Sequence, residues 1–185
     1  MFGFEEVAGM SVVEEKRGGF LTEVLQALIT AGILAFIIRT FLITPFYIPS
    51  RSMEPTLYPG DRILVNRLAY RFGEPQRGDV LVFRYPLDPS RDYIKRVIAV
   101  GGDTIEARQN RIYVNGQALE ESYVPPGVVY NDFGPIKVPP NTYFMMGDNR
   151  NISADSRVWG PLERKLIIGK AVFIFWPLNR LGFIK

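Results

Sequence analysis

The sequence predicts an all-β catalytic domain carried by one N-terminal transmembrane α-helix, and three features of the 185-residue chain lead to that fold class. An apolar stretch runs from Leu21 to Ile43. After Pro45 the chain changes to short runs of β-branched and aromatic residues separated by turn residues. No amphipathic helix of useful length is visible beyond residue 44, apart from a possible short helical turn around Arg67 to Phe72. With 47% apolar and 13% aromatic residues, the chain can fill the core of one compact domain and an appendage.

Residues 1–20 are rich in Glu and Gly, lack a pattern and read as a loosely ordered tail. Residues 21–43 read as an anchor helix. Ala27 to Ile38 is broken only by Thr30 and Gly32, and about 20 residues at 1.5 Å each cross a hydrocarbon core of roughly 30 Å. The run is apolar all round, where a helix of a soluble domain would show one stripe. A cleaved signal peptide fits less well, because the apolar core is long and no small-x-small site follows it. Lys16 and Arg17 precede the span, while Arg39, Arg51 and Arg62 lie at or beyond its far end, so basic residues alone set no orientation.

Residues 44–185 form the β-rich catalytic domain. Strands are expected at Ile63–Val65, Val80–Phe83, Tyr93–Val100, Arg111–Val114, Tyr143–Met146 and Ala171–Trp176. Asn115-Gly116 is the signature of a two-residue type I′ hairpin, and Pro125-Pro126 and Pro139-Pro140 bracket a loop. Trp159, Trp176 and Phe183 are core residues or line an edge facing the membrane.

Two residue types are missing altogether. Without cysteine there is no disulfide framework, thiol nucleophile or thiolate metal site. With no histidine either, no zinc, copper or iron site is expected, and no EF-hand spacing supplies an all-oxygen site. The net charge of +3 comes from 22 basic and 19 acidic residues scattered along the chain. They form no stripe for nucleic acid, and a weak attraction to anionic lipid headgroups suits this charge better.

The lack of histidine also excludes a Ser-His-Asp triad, so a catalytic serine would need lysine or a carboxylate as its base. Ser52 lies between Pro49 and Pro55, in a stiffened segment just after the apolar stretch, and Ser50 could aim its hydroxyl to the same side of an extended backbone. A polar turn after a helix is the alternative for both. Lys95 sits in an apolar strand (Tyr93, Ile94, Val97, Ile98), where desolvation would disfavour its ammonium form. Without Ser52 it would read as a lysine snorkelling from a strand. Gly147 to Arg157 is dense in Asp, Arg, Asn and Ser. Charge-assisted pairs could lock this loop, and Ser153 could orient a neutral lysine; a solvated loop is the alternative. No Ser-x-x-Lys motif, Gly-x-Ser-x-Gly elbow or phosphate loop is present.

Five ordered segments together resemble the bacterial type I signal peptidase (leader peptidase) family: the anchor, Pro49 to Leu57, Arg77 to Phe83, Tyr93 to Val97, and Gly147 to Arg157. The resemblance implies a Ser/Lys dyad with Ser52 as nucleophile and Lys95 as general base. It implies an oxyanion hole made by the Ser52 backbone N–H and the Ser50 hydroxyl, Ser153 as the residue orienting Lys95, and a supporting network of Asp148, Arg150, Asp155 and Arg157. Phe46, Ile48, Met53, Leu57, Val82 and Ile94 would form shallow pockets for small side chains. The chain departs from the family pattern at Asn151-Ile152, where Asp-Asn is usual, and at Gly101, where Pro is usual. The short interval from Lys95 to Gly147 implies that the accessory domain is reduced to a small β-ribbon within about 104–140.

The function expected from this resemblance is a membrane-anchored serine endopeptidase, working without metal or cofactor, that removes signal peptides from exported preproteins after a small residue. Its expected place is the bacterial cytoplasmic membrane, as a single-pass monomer with the catalytic domain on the extracytoplasmic side. Preprotein signal peptides and the lipid bilayer are its expected partners, and nucleic acid is not. A self-cleaving repressor would need a DNA-binding domain where the apolar stretch lies. A catalytically inactive peptide-binding β module would leave Ser52 unreactive toward acylating agents.

Overall fold

The computed structural model describes residues 6–37, 43–129 and 131–185, with helix side chains described for residues 19–34. It comprises two compact units, residues 1–42 and 43–185.

The first unit contains helix α1, Glu6–Ile37. The expectation of a loose tail through residue 20 is corrected here, since the helix begins at Glu6. The Glu14-Glu15-Lys16-Arg17 run consists of good helix formers, and their polarity rather than their backbone preference made the segment read as a tail. No helix among the described residues is long and apolar enough to cross a membrane. Part of the expected span, residues 38–42, lies outside the described residues, and Ile43, its expected last residue, opens the first strand instead.

The second unit is built almost entirely of antiparallel strands. They are β1 (Ile43–Tyr47), β2 (Arg62–Asn66), β3 (Val80–Tyr85), β4 (Asp88–Val100), β5 (Thr104–Arg108), β6 (Arg111–Val114), β7 (Gln117–Ala118), β8 (Phe133–Lys137), β9 (Thr142–Met146), β10 (Leu162–Glu163), β11 (Ile167–Trp176) and β12 (Gly182–Phe183). The single-turn helix α2 (Ser156–Trp159), capped by the Asp155 side chain, was not foreseen. Residues 67–72 form turns rather than a helix, because the Asn66 carboxamide accepts from the backbone N–H groups of Leu68 and Ala69.

The larger sheet has the order β1-β2-β11-β3-β4-β9-β10, with β12 paired to β11. Its β-branched residues alternate into the interior as their period of two requires; Ile63 and Val65 of β2 are buried while Arg62 is exposed. The smaller sheet, β7-β6-β5-β8, spans residues 104–137 and has its own core of Ile105, Ala107, Ile112 and Val114, shared with Ile98 and Phe144 of the larger sheet. Asn115 and Gly116 join β6 to β7 with φ of 54° and 78°. These values are the two positive angles of a type I′ turn, which Asn and Gly tolerate best.

β4 organises the site. It pairs with β3 through residues 88–96 and with β9 only from Arg96 onward. The stretch before Arg96 therefore has one sheet edge unpaired by β9, and the turn carrying Ser52 and the loop after β9 meet beside it.

Candidate active site

Ser52 sits on a tight turn between β1 and β2, with Leu57 N–H donating to the Met53 carbonyl at 2.9 Å and Glu54 N–H to the Arg51 carbonyl at 3.2 Å. Met53 and Leu57 are fully buried and pin the turn to the core. At its base, Ile48 N–H donates to the Asp61 carbonyl and Gly60 N–H to the Ile48 carbonyl, each at 2.9 Å. The Ser52 carbonyl accepts from Asn149 N–H at 3.1 Å, which ties the turn to the loop after β9.

Lys95 approaches from β4. Its Nζ lies 2.8 Å from Ser52 Oγ and 2.7 Å from the Ile94 carbonyl oxygen. Both members of the pair are buried, Lys95 at 4% exposure and Ser52 at 8%. Burial disfavours the ammonium and lowers the Lys95 pKa from 10.5 to about 8, against the opposing pull of the Asp155 and Asp148 carboxylates. The Ser50 hydroxyl is 3.3 Å from Ser52 Oγ, close enough to act on chemistry at that oxygen.

Ser153 falls beside the pair, but its hydroxyl accepts from Gly147 N–H at 3.2 Å, with no hydrogen bond to the Lys95 amine. Gly147 explains the arrangement. A Cβ there would overlap both Ser153 Oγ and the Ser52 carbonyl, so only glycine lets the two segments close this tightly.

The expected polar network is real but wired differently. Of its two Asp and two Arg, only Asp155 and Arg157 pair within the loop, with both contacts at 2.8 Å. Asp148 reaches back to Arg96, accepting from Nε at 2.8 Å and Nη2 at 2.7 Å, and Thr56 donates to the same carboxylate at 2.5 Å. Arg150 donates to the Gly147 carbonyl at 2.9 Å and pairs with Glu121. Arg96 also donates to the Gly78 and Lys185 carbonyls, each at 2.8 Å, and lies 4.1 Å from the Tyr123 ring centroid. Arg96, Glu121 and Tyr123 had not been singled out. The one signal for Arg96 was its place in a buried strand, since an arginine there requires a carboxylate.

All six expected pocket residues come together. Ile48, Met53, Leu57, Val82 and Ile94 belong to one buried cluster, and Phe46 packs on it. A cleft of ≈ 340 Å³ opens over Ser52 and Lys95, lined by Pro49, Ser50, Ser52, Arg91, Asp92, Tyr93, Ile94, Lys95, Ile152 and Ala154. Of the six, Ile94 lines it directly, and the buried Ile48, Met53, Leu57 and Val82 pack in the cluster to which Ile94 belongs.

A serine hydroxyl against a buried, deprotonatable amine, with a polar neighbour and an open cleft, is equipped for acyl transfer without metal or histidine. Comparison with known proteins gives the family. Residues 21–176 match the model of the family described as signal peptidase, peptidase S26. A probable signal peptidase I-2 of Synechocystis sp. is 42% identical over 88% of this chain and 76% of its own length. A signal peptidase I of Leptolyngbya laminosa is 44% identical over 91% of this chain and 86% of its own. A signal peptidase I from Enterococcus faecalis, known from its crystal structure, is 32% identical, with a TM-score of 0.47 over 53% of this chain and 97% of its own. The chain belongs to the signal peptidase S26 family and is a serine peptidase.

Proposed function

We propose that the chain is a membrane-anchored endopeptidase that removes signal peptides from exported preproteins, cutting after a small residue by a Ser52/Lys95 dyad. The observation that carries this reading is the 2.8 Å contact between Ser52 Oγ and the Lys95 amine, whose pKa burial lowers to about 8.

In the neutral form the amine accepts the Ser52 proton as Oγ attacks the scissile carbonyl carbon. The tetrahedral oxyanion takes hydrogen bonds from the Ser52 backbone N–H and the Ser50 hydroxyl. Lys95 hands the proton to the departing amine, leaving an acyl-enzyme on Ser52. Water, deprotonated by the same amine, then releases the new carboxyl terminus and restores Ser52. Ser153 acts indirectly on this reading, holding Gly147 and through it the geometry around Ser52. The apolar cluster behind Ile94 favours small, uncharged side chains near the scissile bond, because nothing there compensates a buried charge.

The relatives named as signal peptidases support the substrate class and with it a place at the outer side of the bacterial cytoplasmic membrane, where exported preproteins emerge, and the apolar run from Leu21 to Ile43 supports anchoring.

The test is direct. Purified full-length protein is incubated with a preprotein carrying Ala-x-Ala before the cut, and the products are mapped by mass spectrometry. Cleavage after the second Ala, abolished equally by Ser52→Ala and Lys95→Arg, is the expected result, since a guanidinium does not lose its proton near neutral pH. Substantial turnover by a clean Ser52→Ala preparation would refute the assignment.

A further inference from the structure

β4 carries three residues more than its pairing with β3 accounts for. Asp92 lies opposite Arg84, and the next partners are Asp88 and Tyr85, which leaves Pro89, Ser90 and Arg91 with no partner on β3. Bulges of this kind bend a strand and re-aim its side chains, and they gather beside active sites. Here the bulge brings Arg91 into the wall of the cleft that contains Ser52 and Lys95. The guanidinium lies 5.6 Å from the centroid of the Tyr93 ring, and the Lys95 amine lies 5.4 Å from the same centroid. Tyr93 is itself braced by stacking on Tyr85 at 4.3 Å.

The nearby carboxylates have other neighbours. Asp88 accepts from the Ser90 hydroxyl and backbone, which with a weaker through-space pull from Arg91 hold its carboxyl below the usual range, and Asp92 stands across the ladder from Arg84. Among the described residues Arg91 takes part in no ion pair. An arginine resting on an aromatic ring keeps its forked N–H donors available for a carboxylate.

Arg91 and Lys95 are four residues apart on one strand. An extended peptide advances about 3.3 Å per residue, as the strand beside it does. The Arg91 guanidinium and the Lys95 amine lie 5.6 and 5.4 Å from one ring centroid, hence no more than about 11 Å apart, so a peptide reacting at Ser52 and lying along β4 presents a side chain to Arg91 about three residues from the scissile bond. We infer that Arg91 is a specificity-determining residue of this cleft, receiving an acidic side chain of the bound peptide at that distance from the bond that is cut. The inference rests on the proposed cleavage of peptides at Ser52.

Two series of Ala-x-Ala peptides test it on the full-length protein. Each peptide carries either Asp or Asn two to four residues from the cut, upstream in one series and downstream in the other. In the series that reaches Arg91, kcat/KM for Asp should exceed that for Asn by about three- to fivefold, the range of an exposed ion pair. Arg91→Gln should bring the ratio to about one and Arg91→Glu should invert it, and added salt should shrink the wild-type ratio. Equal values for Asp and Asn in both series, or a preference that survives in Arg91→Gln, would overturn the inference while leaving the proposed function intact. Loss of activity in Arg91→Gln confined to preprotein in anionic vesicles, with the peptide ratio unchanged, would assign the guanidinium to lipid headgroups and overturn it as well. Failure to cleave any peptide would overturn the proposed function and this inference with it.

Discussion

If Lys95 is the base, the pH dependence of kcat/KM must report the titration of its amine in the free enzyme. Burial lowers that pKa from 10.5 to about 8, so about one molecule in eleven holds a neutral amine at pH 7 and about ten in eleven do at pH 9. Activity should climb roughly tenfold between these pH values and then level off. A lysine left at its ordinary pKa would give about a hundredfold rise over the same interval with no plateau. Steady-state cleavage of a soluble peptide in overlapping buffers separates the two curves. The carboxylates supply a check on sign. Asp155 is the largest influence holding the pKa up, so Asp155→Asn should move the midpoint below the wild-type value even as it weakens the fold. The same amine contributes to stability in a fixed direction. The unfolded chain holds the proton up to about pH 10.5 and the folded chain only to about pH 8. The burial penalty, about 3 kcal/mol below that window, is therefore relieved as pH rises through it. A profile that peaks below pH 6, or a midpoint that rises in Asp155→Asn, would refute the lysine-base reasoning.

Three further outcomes are expected. Asp148→Ala strips the fully buried Arg96 of its carboxylate and should cost about 3–5 kcal/mol, lowering Tm by roughly 10 °C in calorimetry; a change under 2 °C would show that water reaches Arg96. Gly147→Ala pushes both the Ser153 hydroxyl and the Ser52 carbonyl away from residue 147 and should reduce kcat about a hundredfold, the usual effect of a displacement near 1 Å, with a smaller change in KM; wild-type kcat would contradict the close packing there. Deleting residues 1–43 should leave cleavage of soluble peptides measurable while weakening processing of membrane-inserted preproteins, and equal processing of both would remove the anchor from the mechanism.

The closeness of Ser52 and Lys95 was foreshadowed in the sequence because histidine and cysteine are absent. That absence left a serine between prolines, with a lysine in an apolar strand or a carboxylate as its base, among the candidates for nucleophilic chemistry. The strands were legible wherever β-branched runs met turn residues, as at Arg111–Val114 with Asn115-Gly116. Depth was not legible. The resemblance assigned Met53, Leu57 and Val82 to pockets, but a period of two tells only which face a side chain occupies, not how many layers lie above it. Long-range pairing was equally hidden. Arg96 and Asp148 lie 52 positions apart, and the loop's own arginines were the nearer candidates for Asp148. The bulge that aims Arg91 left no mark, since Pro89-Ser90 reads as an ordinary turn. Helix α1 was placed too late because the charged residues between Val13 and Gly18 suggested solvent, whereas their intrinsic preference is helical.

The groups that act on the Lys95 amine come from widely separated parts of the chain: Ser52 from one turn, and Asp148 and Asp155 from the loop after β9. In a nascent chain Ser52 and Lys95 emerge well before residues 148–185, and until those arrive the amine is bathed in water. There about one molecule in three thousand is neutral at pH 7, some three hundredfold fewer than after packing. With Lys95 as the proposed base, proteolytic competence comes late in folding. A half-made molecule, whose own loops are still extended and accessible, carries a serine that nothing has yet switched on.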